Sequence, residues 1–365
     1  MRLPVLFLFL GIRLSSGAEK PSERLAPPSL PDVQGSVSLE AQEWSLKPGP
    51  RSIAVHVRYP GPEGRLANVR PTTGLMLSLH NWGGSGFAGT ADPDFLARTF
   101  DVVAVGVDYL QSGRKAAIDD PEPYDFGWLQ ALDALRALHW AFHDLERRGI
   151  PFDRTRLYAT GGSGGGNVTL MANKLAPRTF AAAIDLCGMK KLSDDIAFGL
   201  PGGSELDARY VRDPNHRFYL PPDAQEIRFT SHPNHLATMK TLGCRARIVT
   251  VHGVDDRTCP DVEEYATNML RSGLDFLHVP VTRDALDGEV FTSSAHALGD
   301  RTRIVERVAG RFLNPASPEC ARLEGPTDFE RKEAIRYATS HGTWVVDYRR
   351  GFPVGYFEPN PPSNP

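Results

Sequence analysis

Ser163 stands in Thr160-Gly161-Gly162-Ser163-Gly164-Gly165-Gly166-Asn167, after the apolar Leu157-Tyr158-Ala159 and before Val168, Leu170, Met171 and Leu175 at helical spacing. The pattern predicts a strand, a sharp turn and a helix, with the serine hydroxyl held out at the turn. Glycine two residues before and two after Ser163 fits, because a Cβ at either place would collide with the neighbouring strand or helix. A serine hydroxyl is a weak nucleophile. Chemistry at Ser163 needs a base to take its proton, a carboxylate behind that base, and donors for the oxyanion that forms.

The chain offers each of these. A carboxylate is expected after a late strand, and Ile248-Val249-Thr250-Val251 is followed by His252-Gly253-Val254-Asp255-Asp256-Arg257-Thr258-Cys259-Pro260. Asp256 is the expected carboxylate and Asp255 its near rival, since spacing does not show which side chain turns inward; the plainer role for both is capping the next helix. The base should come last, and His296 in Thr292-Ser293-Ser294-Ala295-His296-Ala297 occupies that place. His278 inside an apolar strand and His341 near the C-terminus read as packed or surface residues. For the oxyanion, the backbone N–H of Gly164 and a second from Asn81 or Trp82 are expected, because Leu79-His80-Asn81-Trp82-Gly83-Gly84-Ser85-Gly86 follows a buried strand. Trp82 and Phe87 are candidate walls of a substrate pocket, with ordinary packing the alternative.

The elements that must position these groups follow from hydrophobic patterning. Residues 36–40, 52–59 and 74–79 read as strands, the second with period-two alternation that suits an antiparallel start. Val102-Val103-Ala104-Val105-Gly106-Val107 and Ala181-Ala182-Ala183-Ile184-Asp185-Leu186 are continuous apolar runs that fit parallel strands covered on both faces. Trp128, Leu132, Leu135, Leu138, Phe142 and Leu145 fall at three- and four-residue spacing and predict a crossover helix stopped by Gly149. Later come a helix over 261–271, a strand over 276–281 and a helix over 302–312. Strands alternating with helices give an α/β class: a mostly parallel, doubly wound sheet with helices on both faces. Residues 190–242 break the rhythm and read as a cap-like insertion, and 314–365 as an extension with a strand near 343–346 and a Pro-rich end. No internal repeat is visible.

Composition limits the rest. The 365 residues carry a formal net charge of -3, which argues against a dedicated nucleic-acid or anionic-membrane binder and for a small-molecule or polymer-derived partner. Residues 1–18 read as a secretory signal peptide, with Arg2, an apolar run from Leu3 to Leu10 and small residues at Ser16-Gly17-Ala18. Residues 19–35 read as a Pro- and Ser-rich linker, and no stable membrane span is expected. The expectation is a secreted or periplasmic protein. Cys187, Cys244, Cys259 and Cys320 have no metal-ligand spacing and leave three complete disulfide pairings open. His139 and His143 lack a third ligand, while His232 and His235 could line a pocket or hold a metal. The sequon Asn167-Val168-Thr169 would start the helix behind Ser163, where a sugar has no room.

Over residues 36–313 the chain resembles the α/β-hydrolase superfamily, with the order Ser163, Asp256, His296 matching. His252 to Pro260 is similar to the His-Gly-x-x-Asp-x-x-Val-Pro signature of prolyl-oligopeptidase-like and dienelactone-hydrolase-like members, with Cys259 in place of Val. That similarity favours Asp256, and Ser163 in place of Cys speaks against a true dienelactone hydrolase. Lys174-Leu175-Ala176-Pro177 through Cys187 also looks like a bacterial branch without a known substrate. The resemblance implies a serine hydrolase of carboxylic esters that works through an acyl-enzyme and needs no cofactor or metal, and the N-terminal pattern adds export. The alternatives are a prolyl-oligopeptidase-like peptidase, although no propeller repeats or peptide-terminus grip are visible, and a non-catalytic binding protein of the same fold.

Overall fold

The structure, a computed structural model, describes residues 26–361, so the expected signal peptide at 1–18 lies outside the described residues. Eight strands form one sheet: β1 (Gly35–Ala41), β2 (Arg51–Arg58), β3 (Gly74–Leu79), β4 (Val102–Asp108), β5 (Leu157–Gly162), β6 (Ala182–Leu186), β7 (Arg247–Gly253) and β8 (Phe276–Val281). Their order is β1-β2-β4-β3-β5-β6-β7-β8. β1 pairs with β2 and β2 with β4 antiparallel, and every pair from β4 across to β8 is parallel. Burial explains the difference. β2 buries Ile53, Val55 and Val57 and leaves the residues between them partly exposed, whereas β3, β5 and β6 are buried along their whole length.

Helices α1 (Pro93–Phe100), α2 (Trp128–Arg147), α3 (Gly164–Leu175), α7 (Val262–Ser272) and α8 (Arg301–Leu313) complete the wound layers. α2 packs on α3 and α1 on α8. The six apolar residues from Trp128 to Leu145 are all buried along α2, and Gly149 ends it at φ +64°. Just before β5, at the N-terminal ends of the parallel strands, the fully buried Arg156 donates to the carbonyls of Phe100 (2.5 Å) and Leu313 (2.8 Å), where α1 and α8 end, and to those of Thr72 (2.5 Å) and Asp101 (3.2 Å). One guanidinium thus satisfies carbonyls that would otherwise be orphaned at both helix ends.

Residues 190–242 carry α4 (Asp194–Phe198), α5 (Pro222–Ile227) and α6 (Pro233–Leu242). A buried lysine ties this segment to the main layer. Lys174 of α3 donates to Ile227 O at 2.7 Å and Phe229 O at 3.0 Å, and meets His235 Nδ1 at 2.8 Å. The segment's apolar residues Leu192, Ile196, Ala208 and Leu220 form a second buried cluster with Tyr124, Met189 and Cys259. Beyond α8 lie α9 (Asp328–Arg331) and an antiparallel sheet of β9 (Ala334–Ala338), β10 (Gly342–Asp347) and β11 (Val354–Pro359), with β10 in the middle. β10 contains the strand expected near 343–346, and its Trp344 packs edge-on against Trp128 of α2. No helix among the described residues is long and apolar enough to cross a membrane.

Candidate active site

β5 runs directly into the turn that carries Ser163, whose backbone sits at φ +55°, ψ -119°. That region costs a non-glycine residue about 1–3 kcal/mol and persists only where the surroundings impose it. The surroundings here are close. Cβ atoms at Gly161 and Gly165 would collide with the backbones of Gly165 and of Leu79 and His80 respectively, and Ser163 N–H is fixed on Leu186 O at 2.8 Å. The glycine spacing therefore lets α3 start against β3 and β5 while the hydroxyl projects from the turn.

The three side chains expected to work together meet. Ser163 Oγ lies 2.9 Å from His296 Nε2, and His296 Nδ1 lies 2.9 Å from Asp256 Oδ2. Asp256 is buried and all its lone pairs are addressed: Oδ1 accepts from the N–H groups of Thr258 (2.9 Å) and Cys259 (3.0 Å). Burial alone would push its carboxyl up, but the donors from His252 and His296 hold it far below the ordinary carboxylate range. Asp255, the rival, does not reach His296. It accepts from Arg283 Nε (2.9 Å) and Ser294 Oγ (2.7 Å), and its N–H donates to Ser294 O, so it anchors the loop that carries His296. A Cβ on Gly253 would strike the carbonyls of Ser294 and Ala295, so glycine there lets that loop close on the end of β7.

His252, which opens the His252 to Pro260 segment, has a place the sequence does not assign. It is fully buried, its Nε2 lies 2.9 Å from Cys259 O and 3.2 Å from Asp256 Oδ2, and its Nδ1 has no partner among the described residues. Asp256 Oδ2 is therefore approached by two imidazoles. The signal in the sequence is the four-residue spacing of His252 and Asp256 across the tight turn after β7.

Of the two residues expected to supply the second oxyanion donor, Asn81 is removed: its N–H donates to Ala88 O at 3.0 Å within its own loop. Trp82 N faces the turn that carries Ser163 instead, 2.5 Å from where a Cβ on Gly164 would lie. The indole of Trp82 stacks on Tyr124, with ring centroids 3.8 Å apart, and packs against the second buried cluster. Beneath the loop, buried His80 donates through Nδ1 to Asn81 O at 2.8 Å, and burial pulls its pKa down to about 4. Phe87 does not wall the site. Its ring fills the space above Gly106 of β4, beneath the Arg58 guanidinium, two strands away from β5.

The remaining candidates take structural places. His341 pairs with Asp223 at 3.0 Å, and His278 is partly buried in β8. His232 and His235 lie within 4.8 Å of Glu226, yet His235 faces Lys174 through Nδ1 and Ala338 O through Nε2, so no lone pair is left for a metal. The four cysteines are unpaired, and Cys187 and Cys259, each within 4.8 Å of the Asp256 carboxylate, are buried with their thiols pushed well up by desolvation. Asn167 is fully buried and donates to Met189 O at 3.0 Å, which closes the sequon to sugar.

No model of a known protein family matches the sequence, and no curated protein does. Among solved structures, the acylaminoacyl peptidase of Pyrococcus horikoshii is similar at 12% identity and a TM-score of 0.50, over 77% of this chain and 41% of that one. A puromycin-hydrolysing peptidase of Mycobacterium tuberculosis is similar at 18% identity and 0.49, over 74% and 39%, and an arylesterase at 16% and 0.43, over 79% and 87%. The chain spans about two fifths of the length of the two peptidases. The likeness establishes the α/β-hydrolase fold.

Proposed function

We propose that the protein is a serine hydrolase of carboxylic esters. Ser163 attacks the carbonyl while His296 takes its proton, Asp256 holds the imidazole in the needed tautomer, and Trp82 N–H and Gly164 N–H receive the oxyanion. His296 then gives the proton to the departing alcohol, and water repeats the sequence on the acyl-enzyme. The observation that carries this reading is the unbroken chain Ser163 Oγ, His296 Nε2, His296 Nδ1, Asp256 Oδ2, with both links at 2.9 Å. A merely binding relative of the fold has no need of that alignment or of a strained serine.

The peptidase reading uses the same machinery, and the solved structures named above include both kinds of enzyme. Rates on 4-nitrophenyl acetate and on an acylated dipeptide nitroanilide separate them. An esterase turns over the first at least about a hundredfold faster, and Ser163→Ala abolishes it. Faster cleavage of the anilide assigns a peptidase, and ester turnover that survives Ser163→Ala removes the mechanism. Export of the chain remains part of the proposal, tested by N-terminal sequencing of protein recovered outside the cytoplasm.

A further inference from the structure

Resting on that reading, we propose that Arg301 binds a carboxylate carried by the leaving group, so that the substrates are esters of hydroxy acids or, for an amide, derivatives that release an amino acid.

Arg301 is the first residue of α8, five positions after His296. Successive strand residues face opposite sides of a sheet. A Cβ on Gly161 would meet α3, whereas one on Gly162 would collide with Arg301 Nη1 and approach Gly89 O. The guanidinium thus occupies the place of a side chain on the residue immediately before Ser163, and the second glycine of Gly161-Gly162-Ser163 makes room for it.

Its partners are few. Arg301 Nη1 donates to Gly89 O, at the end of the loop that begins with Asn81 and Trp82, and no carboxylate pairs with it among the described residues. The adjacent Asp300 is turned away, accepting from Thr302 N (2.9 Å) and Arg303 N (3.2 Å) at the start of α8. Asp256 is occupied by two imidazoles and two backbone donors. Desolvation pulls the pKa of Arg301 down, and only the buried Cys187 thiol works against it, with no carboxylate contributing. A partly buried guanidinium without a counter-charge is unfavourable unless a ligand supplies one. Its planar fork suits a carboxylate, which it can hold through two parallel bonds.

Position decides which half of the substrate. The imidazole that protonates the departing group must lie over that group. Arg301 is reached from His296 by a four-residue connection, on the face of β5 opposite α3, while the oxyanion donors Trp82 N and Gly164 N lie at the start of α3. The leaving group therefore passes between His296 and Arg301.

The test compares 4-acetoxybenzoate with its uncharged methyl ester, and adds 4-nitrophenyl hemiglutarate, whose charge is on the acyl side. The wild type should favour 4-acetoxybenzoate over the methyl ester by about tenfold or more in kcat/KM, the size expected for a charge-assisted bidentate contact. In Arg301→Gln the ratio between the two should collapse toward one, and in Arg301→Lys it should be partly kept. If the variants do not fold, the wild type still decides: the preference should shrink between low and high KCl because it is electrostatic. A ratio near one in the wild type, a ratio unchanged in Arg301→Gln, or a preference for the hemiglutarate alone overturns the assignment. Turnover of the methyl ester by the wild type shows independently whether the Ser163 reading stands.

Discussion

His252 and His296 converge on one oxygen: their ring nitrogens lie 3.2 and 2.9 Å from Asp256 Oδ2. The carboxylate proposed to orient the base is thus itself oriented from a strand end, through an imidazole that is fully buried and whose Nδ1 has no partner among the described residues. The groups around this centre are few. Among the described residues they include His252 and His296, the Cys187 and Cys259 thiols held neutral by burial, His278 of β8, and the buried ion pair of Asp185 and Lys190.

His252→Leu should therefore lower kcat by about tenfold with KM little changed, because it removes a support that acts through Asp256 rather than a substrate contact. Without the His252 donor the Asp256 carboxyl should titrate higher than in the wild type, so the acid side of kcat/KM should move toward higher pH. His252→Gln, which can still donate, should restore part of both. An unaltered pH profile in His252→Leu, whatever its stability, speaks for simple packing.

The two neighbouring aspartates should separate cleanly. Asp256→Asn should reduce kcat by about a thousandfold or more, since it leaves His296 without its orienting acceptor. Asp255→Asn should cost less than about tenfold, because its carboxylate ties Arg283 and Ser294 and only braces the loop. Equal losses from both would contradict the assignment.

Because Asp256 stays ionised far into the acid range, a single proton should control the acid side of the profile. The logarithm of kcat/KM should fall with a slope of one per pH unit. A slope of two above pH 4 would mean that the carboxylate titrates as well.

Stability has its own pH dependence. Burial holds His80 at about 4 and His139 at about 3, below the roughly 6.5 of an unfolded chain. The unfolded state then binds protons that the folded state refuses, so this stability is complete above about pH 6.5 and is lost as pH falls. His80 alone should cost about 2 kcal/mol between pH 6.5 and 5. Urea midpoints that are flat across this window would show that neither ring is held neutral.

Lys174→Met should destabilise the fold by about 2–4 kcal/mol, leaving two carbonyls and His235 Nδ1 buried without a donor. The loss should appear as protease nicking within residues 190–242 before global unfolding. A variant as resistant as the wild type would mean that packing, not the ammonium, holds this segment.

Much of this was legible in the chain because it depends on local spacing. Gly161, Ser163 and Gly165 specify a tight turn, α2 announces itself by buried positions from Trp128 to Leu145, and the order Ser163, Asp256, His296 follows from where strands end. What escaped depends on contacts between distant segments. Spacing alone leaves Asp255 as a rival because only the curl of one loop turns it to Ser294, and the preference for Trp82 over Asn81 rests on one hydrogen bond to Ala88. Packing and pocket wall are both open for Phe87 in the sequence because its fit above Gly106 joins residues with no sequence relation. α1, β9 and β11 span only five to eight residues each, too short a window to fix a period, and α5 and α6 are held by Lys174 from another helix.

The most direct measurement is mass-spectrometric mapping of the folded protein after reaction with a fluorophosphonate. A single phosphonyl adduct on Ser163, with labelling lost in His296→Ala, is the result expected of a hydroxyl activated across 2.9 Å by that imidazole. A folded sample that takes no label at Ser163, or takes it equally well without His296, contradicts the proposed chemistry.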